Sequence, residues 1–279
     1  MRLSSAVLSF FSLVDGNHRY HHKSVHHDSS LAHWANMAVE STSKPTFLPS
    51  FEIFQNAIVN ANAKVGDPQP APSKSVIQEA YDEISNVQKK QKFFSGLNEV
   101  AMFLANVLQE TNMLVREQHC GKDRRKPSCN TGCGGCEGGK QYFGRGYLQL
   151  THQNNYKFFF AYYNKIYGTK YSHLKQNDCN LVATKLAWSS AFYVWHRDAA
   201  GPDFYDKYHP VSGSFGYSIN SINGCMECKK YCQLNDNCPD GCHGPDGAAQ
   251  KRAKYFQALQ RGFGLRVSSD REALKGCLY

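Results

Sequence analysis

No cysteine precedes Cys120, and no stretch of the chain approaches the roughly 18 consecutive apolar residues needed to cross a bilayer. A membrane-spanning protein is therefore excluded on this reading, and no membrane partner is expected. Internal repeats of a fixed period are also missing, which argues against a solenoid or propeller. Nor is any basic run interleaved with stacking aromatics. The densest basic cluster, Lys122-Asp-Arg-Arg-Lys126, sits in a cysteine-rich loop rather than on a helix face, so no nucleic acid is expected as a partner.

What remains is a globular composition. The 279 residues are 41% apolar, 13% aromatic and 20% charged, enough buried surface to offset the entropy of ordering the chain. That length suits about two average domains or one large single-domain enzyme. A net charge of +9 would attract anionic surfaces such as a membrane, a nucleic acid or an acidic cell wall. All eleven cysteines lie from Cys120 onward, and their odd number leaves at least one thiol unpaired or intermolecular. Such clustering suits disulfides in an oxidising compartment or a metal module in a reducing one. Cys225-x2-Cys228-x3-Cys232-x5-Cys238-x3-Cys242-His243 has spacings that a zinc knuckle would also use.

Residues 1–16 read as a short secretory signal: Arg2, then a run of apolar and small residues to Val14, then polar Asp15-Gly16. On that reading the protein is secreted. Residues 17–45 hold six of the twelve histidines, His18, His21, His22, His26, His27 and His33, among Ser, Asn and Lys without periodicity, and read as a flexible leader.

A folded domain is expected over 46–279. Phe47, Leu48, Phe51, Phe54, Ile58 and Val59 recur at helical steps until the Pro-rich segment 66–72. Ser73 offers an N-cap to a second helix carrying Val76, Ile77, Ala80, Tyr81 and Ile84 to about Val87. A third, from Glu99 to Thr111, aligns Val100, Phe103, Leu104, Val107 and Leu108 and brings Glu110 to its C-terminal end. There the macrodipole and partial burial beside Leu108 and Met113 favour the protonated carboxyl, as a general acid requires. A short strand or ribbon is expected at 142–150, an aromatic helix at 155–167, a long buried helix from Leu181 to Ala199 and a last clear helix from Ala248 to Arg261. Helices outnumber strands, so the fold class is mainly α around one core, in two lobes with a small β element.

Glu110 and Glu117 stand seven residues apart. On a continuous helix they would be separated by about 10 Å. With the chain turning after Thr111, their carboxyls come within reach of the ~6.5–9.5 Å spacing that lets paired carboxylates cleave a glycosidic bond through an intervening water.

Three ordered blocks then carry a family resemblance. Tyr142-Phe-Gly-Arg-Gly-Tyr-Leu-Gln-Leu-Thr-His-Gln-Asn-Asn-Tyr156 resembles the Tyr-Tyr-Gly-Arg-Gly-Pro-Ile-Gln-Leu-Ser signature, followed by Asn-Tyr, of the family 19 glycoside hydrolases, the plant and bacterial class of endochitinases. Phe215 to Cys228 is similar to that family's Asn-Ile-Ile-Asn-Gly-Gly-x-Glu-Cys segment, and Glu99 to Thr111 to its Glu-Val-Ala-Ala-Phe-x-Ala-x-x-x-His-Glu-Thr helix. Ala187 to Trp195 is similar to the family's Ala-x-x-x-Ala-x-x-Phe-Trp helix, so the resemblance extends over roughly 47–277.

The resemblance implies a lysozyme-like two-lobed helical fold with a small β element beside a substrate cleft, and a secreted endochitinase that needs no metal and no cofactor. It implies Glu110 as general acid and Glu117 as general base, with inversion at the anomeric carbon. Gln149, Thr151 and Asn155 match family residues that hold the sugar and the catalytic water, and Asn223 matches an asparagine that contacts substrate. Glu227 and Arg252 match a charge network around the acid; without the resemblance, Arg252 reads as an exposed helix charge. Arg145, between two glycines, is read as structural, its fork bonding backbone carbonyls. Disulfides become the simpler use of the cysteines, with Cys228 paired to Cys277 by family analogy and further bridges within 120–136. Residues 229–246 read as a Cys-rich insertion.

Departures from the family pattern are Gln109 in place of His, Asn112-Met113 in place of Gly-Gly, Tyr147 in place of Pro, Asn154 in place of an aromatic, and Cys225 in place of Gly. The segment from Glu110 to Glu117 is also shorter than in bacterial members. The expected partner is chitin or its oligosaccharides, acted on by a monomer. The alternatives are a catalytically impaired chitin-binding or defence protein that keeps the sugar cleft, and a muramidase-like hydrolase of peptidoglycan, whose anionic peptides suit the basic surface.

Overall fold

Ser50 and Ser73 begin the first two helices as side-chain caps. The computed structural model describes residues 48–65, 70–111, 114, 118–119, 142–199, 214–228 and 247–278, all within one unit, Met37–Tyr279. The Ser50 hydroxyl accepts from Ile53 N–H at the start of α1 (Phe51–Lys64), and the Ser73 hydroxyl from Val76 N–H at the start of α2 (Lys74–Gln91). Helix α1 buries Phe54, Ala57, Ile58 and Ala61, a stripe at three- and four-residue steps, but leaves Val59 exposed. Helix α2 buries Ile77, Ala80, Ile84 and Val87, then runs on beyond Val87 to a left-handed Lys92, where the Gln88 side chain bonds both the N–H and the carbonyl of Phe94.

The central helix is α3 (Leu97–Glu110), buried at every position from Glu99 to Leu108. Glu99, in its first turn, accepts from Ser95 N–H and hydroxyl and from the Trp195 indole, so this buried carboxylate is hydrogen-bonded at both oxygens. Helix α8 (Ala248–Gly262) packs against both α1 and α3. Gly262 is pressed onto Ala57, where a Cβ would lie 2.5 Å from the alanine methyl; only glycine permits that approach.

Beyond α3, β1 (Gln118–His119) pairs antiparallel with β2 (Gly144–Arg145). The strand expected over 142–150 is thus only two residues long. Gly146 turns at φ 74° and Gln149 at φ 52°, folding the chain back so that Arg145 and Leu150 bridge each other. Helix α4 (Gln153–Tyr167) follows, two residues earlier in its start than the sequence pattern indicated.

The single long helix expected from Leu181 to Ala199 is not formed. Instead α5 (Gln176–Leu181) ends in a turn, α6 (Ala187–Val194) restarts, and Trp195–Ala199 widens into a π turn. The Thr184 hydroxyl donates to the carbonyls of Asn180 and Leu181, competing with helical pairing. The break faces Gly146, where a Cβ would lie 2.4 Å from Ser190 Oγ and 3.1 Å from the carbonyl oxygens of Val182 and Ala187.

Besides α5, two helices among the described residues went unread in the sequence. Helix α7 (Phe215–Glu227) kinks at Asn223, whose φ of −147° is not helical. Helix α9 (Asp270–Leu274) opens on a reciprocal capping box between Ser269 and Glu272. The C-terminal segment is tied back onto α7 by the Cys228–Cys277 disulfide, by Ser214 Oγ donating to Lys275 O and by Asn220 Nδ2 donating to Gly276 O. No helix among the described residues is long and apolar enough to cross a membrane.

Candidate active site

Glu110 stands where the apolar face of α3 runs out, so its side chain is 18% exposed while the preceding turns are sealed. The chain turns there because Thr111 closes the helix. Its hydroxyl donates to Val107 O at 2.6 Å and accepts from Leu114 N–H at 3.0 Å.

Arg252 reaches Glu110 from the second turn of α8. It is 1% exposed and so is not a solvated helix charge. Its Nη2 lies 2.5 Å from Glu110 Oε1 and 2.6 Å from Glu227 Oε1, while its Nε lies 2.8 Å from Glu227 Oε2. Glu227, the last residue of α7, thus takes a two-point grip and Glu110 a single bond. Asn223, freed from helical geometry at the kink, donates its Nδ2 to Glu227 Oε1 at 2.7 Å. The disulfide at the next residue, Cys228, fixes the end of α7 against the C-terminal segment.

Two carboxyl groups thus share one guanidinium. Burial alone would lower the Arg252 pKa and is the largest single influence, but Glu110 and Glu227 together outweigh it and raise the value above that of a free arginine. The guanidinium is a permanent cation that cannot exchange protons with Glu110.

A second group forms at the hairpin and the start of α4. Gln149 donates its Nε2 to Gly146 O at 2.8 Å, Thr151 donates its hydroxyl to Gln149 O at 2.6 Å, and Asn155 donates its Nδ2 to Thr151 O at 2.7 Å. Arg197, on the π turn, donates to Asn155 Oδ1 at 2.8 Å. Arg197 was not singled out in the sequence, because a lone basic residue beyond a buried aromatic run carries no local signal.

The buried Arg145 guanidinium stacks 3.7 Å from the Phe143 ring centre and donates to Tyr156 OH and Asn180 Oδ1. Tyr147, where the family signature carries Pro, is buried with its ring stacked on Trp188 at 4.0 Å. Gln109, which replaces the family's His, has its Oε1 buried without a hydrogen-bond partner. Among the described residues no three His, Cys, Asp or Glu side chains gather as a metal-binding group. Glu117, Asn112, Met113, the Cys225 side chain, the segments 1–16, 17–45 and 229–246, and the cysteines of 120–136 lie outside the described residues.

No family model matches the chain. Chitinase 4 of Oryza sativa subsp. japonica is 25% identical over 175 residues, covering 60% of this chain and 50% of that protein. Endochitinase EP3 of Arabidopsis thaliana is 26% identical over 223 residues, covering 76% of this chain and 68% of that protein. The chain spans about half the length of the rice relative. Among solved structures, chitinase C from Streptomyces griseus HUT6037 aligns with a TM-score of 0.50 at 24% identity, over 82% of this chain and 99% of that one, a likeness of fold.

The mainly helical architecture is that of a lysozyme-like fold, with the Glu110–Arg252–Glu227 cluster at the end of its central helix. Within that architecture, the chain is similar at low identity to plant chitinases, and its ordered motifs resemble those of glycoside hydrolase family 19.

Proposed function

We propose that the chain is a secreted endochitinase, acting as a monomer on internal β-1,4 linkages of chitin and its oligosaccharides, with residues 46–279 as its catalytic domain. The observation that carries this reading is the pairing of part-exposed Glu110 with buried Arg252, which is itself gripped at two points by Glu227. Such an arrangement orients one carboxyl at a solvent-facing helix end while the other holds the cation in place. The plant relatives are chitinases by name, which supports the substrate class.

In the reaction, Glu110 donates its proton to the leaving glycosidic oxygen as the C1–O bond breaks. Glu117 takes a proton from a water that attacks C1 from the opposite face. Each turnover leaves the two carboxyls with exchanged protonation states, and solvent restores them. Gln149, Thr151, Asn155 and Asn223 supply amide and hydroxyl groups suited to acetamido sugars.

The test is digestion of chitohexaose by the purified protein, with products followed at early times by proton NMR. Initial α-anomer from the β-linked substrate is the expected result and marks inversion. Binding without cleavage favours an impaired chitin-binding protein, with Gln109 the first suspect, and cleavage of peptidoglycan but not chitin favours the muramidase-like alternative.

A further inference from the structure

Asn106 sits on α3 one turn before Glu110, fully buried, and the direction of each hydrogen bond around it is forced. Ser218 of α7 gives its only hydroxyl proton to Phe215 O at 2.7 Å, so it has only lone pairs to offer Asn106. Asn106 Nδ2 therefore donates to Ser218 Oγ at 3.1 Å and to Met102 O at 3.0 Å. Its carbonyl oxygen is left facing Arg252, whose Nη1 donates to it at 3.1 Å. A directed chain thus runs from Glu110 and Glu227 through Arg252 and Asn106 to Ser218 and the backbone of α7.

We propose that Asn106 is a positioning residue: its amide, oriented by Ser218, fixes the guanidinium plane of Arg252 so that Nη2 stays aimed at Glu110. The geometry gives the reason. Glu227 holds one edge of the guanidinium and Asn106 holds Nη1. Without the Asn106 acceptor, the guanidinium pivots about its grip on Glu227, and Nη1 becomes a buried donor with a lost bond. The charged groups facing the position are Glu110 on α3, Glu227 on α7 and Arg252 on α8. For catalysis the proposal rests on the Glu110 reading given above; for the geometry of Arg252 it does not.

The test uses Asn106→Ala, Asn106→Asp and Ser218→Ala in the full chain, each checked for folding by circular dichroism. On chitohexaose, Asn106→Ala is expected to lower kcat about 10- to 100-fold, the range for loss of one hydrogen bond to a charged group, with KM little changed. Asn106→Asp keeps an acceptor for Arg252 and recovers most of kcat. Its added negative charge beside Glu110 moves the basic limb of the pH profile upward by about one unit, because a like charge opposes loss of the acid's proton. That shift follows from the added charge alone; what a purely structural role would not produce is the recovery of kcat by this variant with KM unmoved.

Independently of activity, the side-chain 15N spectrum should show the Arg252 Nη signals resolved in the wild type and merged by faster rotation in Asn106→Ala, with Ser218→Ala between them. Wild-type protein that cleaves nothing would sink the functional reading while this spectrum still judges the positioning. An unaltered Arg252 spectrum in folded Asn106→Ala, or an unaltered kcat and pH profile in an active enzyme, would overturn the proposal.

Discussion

The Nη2 of Arg252 lies 2.5 Å from Oε1 of Glu110, so a side chain 1% exposed on α8 is bonded to one that reaches solvent at the end of α3. Everything else in the cluster supports that bond. Glu227 and Asn106 hold the other edges of the guanidinium, and the kink at Asn223 with the adjoining disulfide holds Glu227.

Replacing Arg252 with Ala leaves two carboxylates facing each other with no cation. Breaking a buried pair from one side costs about 3–5 kcal/mol, and urea denaturation at neutral pH should show a loss of that order. Arg252→Lys should rescue only part of it, since an ammonium cannot fork between Glu227 and Glu110. A wild-type midpoint for Arg252→Ala would mean that the ion pairs contribute nothing net.

Glu110→Gln and Glu227→Gln should separate by kinetics. The first keeps the shape of the side chain but has no proton to donate, so kcat should fall by roughly 100- to 10,000-fold while chitohexaose binding by calorimetry persists. Glu227→Gln weakens the two-point grip on Arg252 without removing the acid, so it should lose less activity and more stability. Near-normal turnover of Glu110→Gln would remove Glu110 from the acid role.

The sequence made the helical periodicity of α1 to α4 and α8 legible, because their buried stripes recur at three- and four-residue steps and serine caps mark two of the starts. Helix α7 was hidden: its serines, asparagines and glycines have low helix propensity, and it holds because its face packs on α8 and the C-terminal segment. The break at 182–186 was equally illegible, since an apolar run with one threonine carries no stop signal, and its closeness to Gly146 of a distant turn is seen only in the fold. At the site, motif resemblance pointed to Arg252 and Glu227. Asn106 could have been found as the one amide side chain between Val100 and Leu108, while Ser218 becomes meaningful only once α7 is seen against α3.

The Cys228–Cys277 bond closes a segment with a sequence separation of 49 and joins the residue after Glu227 to the C-terminal segment. Cys277→Ser should cost about 4 kcal/mol of stability by loop entropy. It should also loosen the end of α7, so that activity falls at temperatures well below the melting point. The same midpoint under reducing and oxidising conditions in the wild type would contradict this.

Glu272 offers a pH test remote from the cluster. The Ser269 N–H bonded to its carboxylate is the largest influence, followed by Arg266 and the Ser269 hydroxyl, and together they hold its pKa down at about 2 against an ordinary 4.5. A depressed carboxylate stabilises the fold above its unfolded value and loses that contribution as pH falls through the folded one. The box at the start of α9 should therefore be intact above about pH 4.5 and released progressively towards about pH 2. Hydrogen exchange at the Ala273 amide, which bonds Ser269 O in the first turn of α9, reads this directly. Wild type should be better protected than Glu272→Ala at pH 5, with the difference gone near pH 2. A difference that persists unchanged across that window would show that the box owes its stability to packing of Ala273 and Leu274 rather than to the carboxylate.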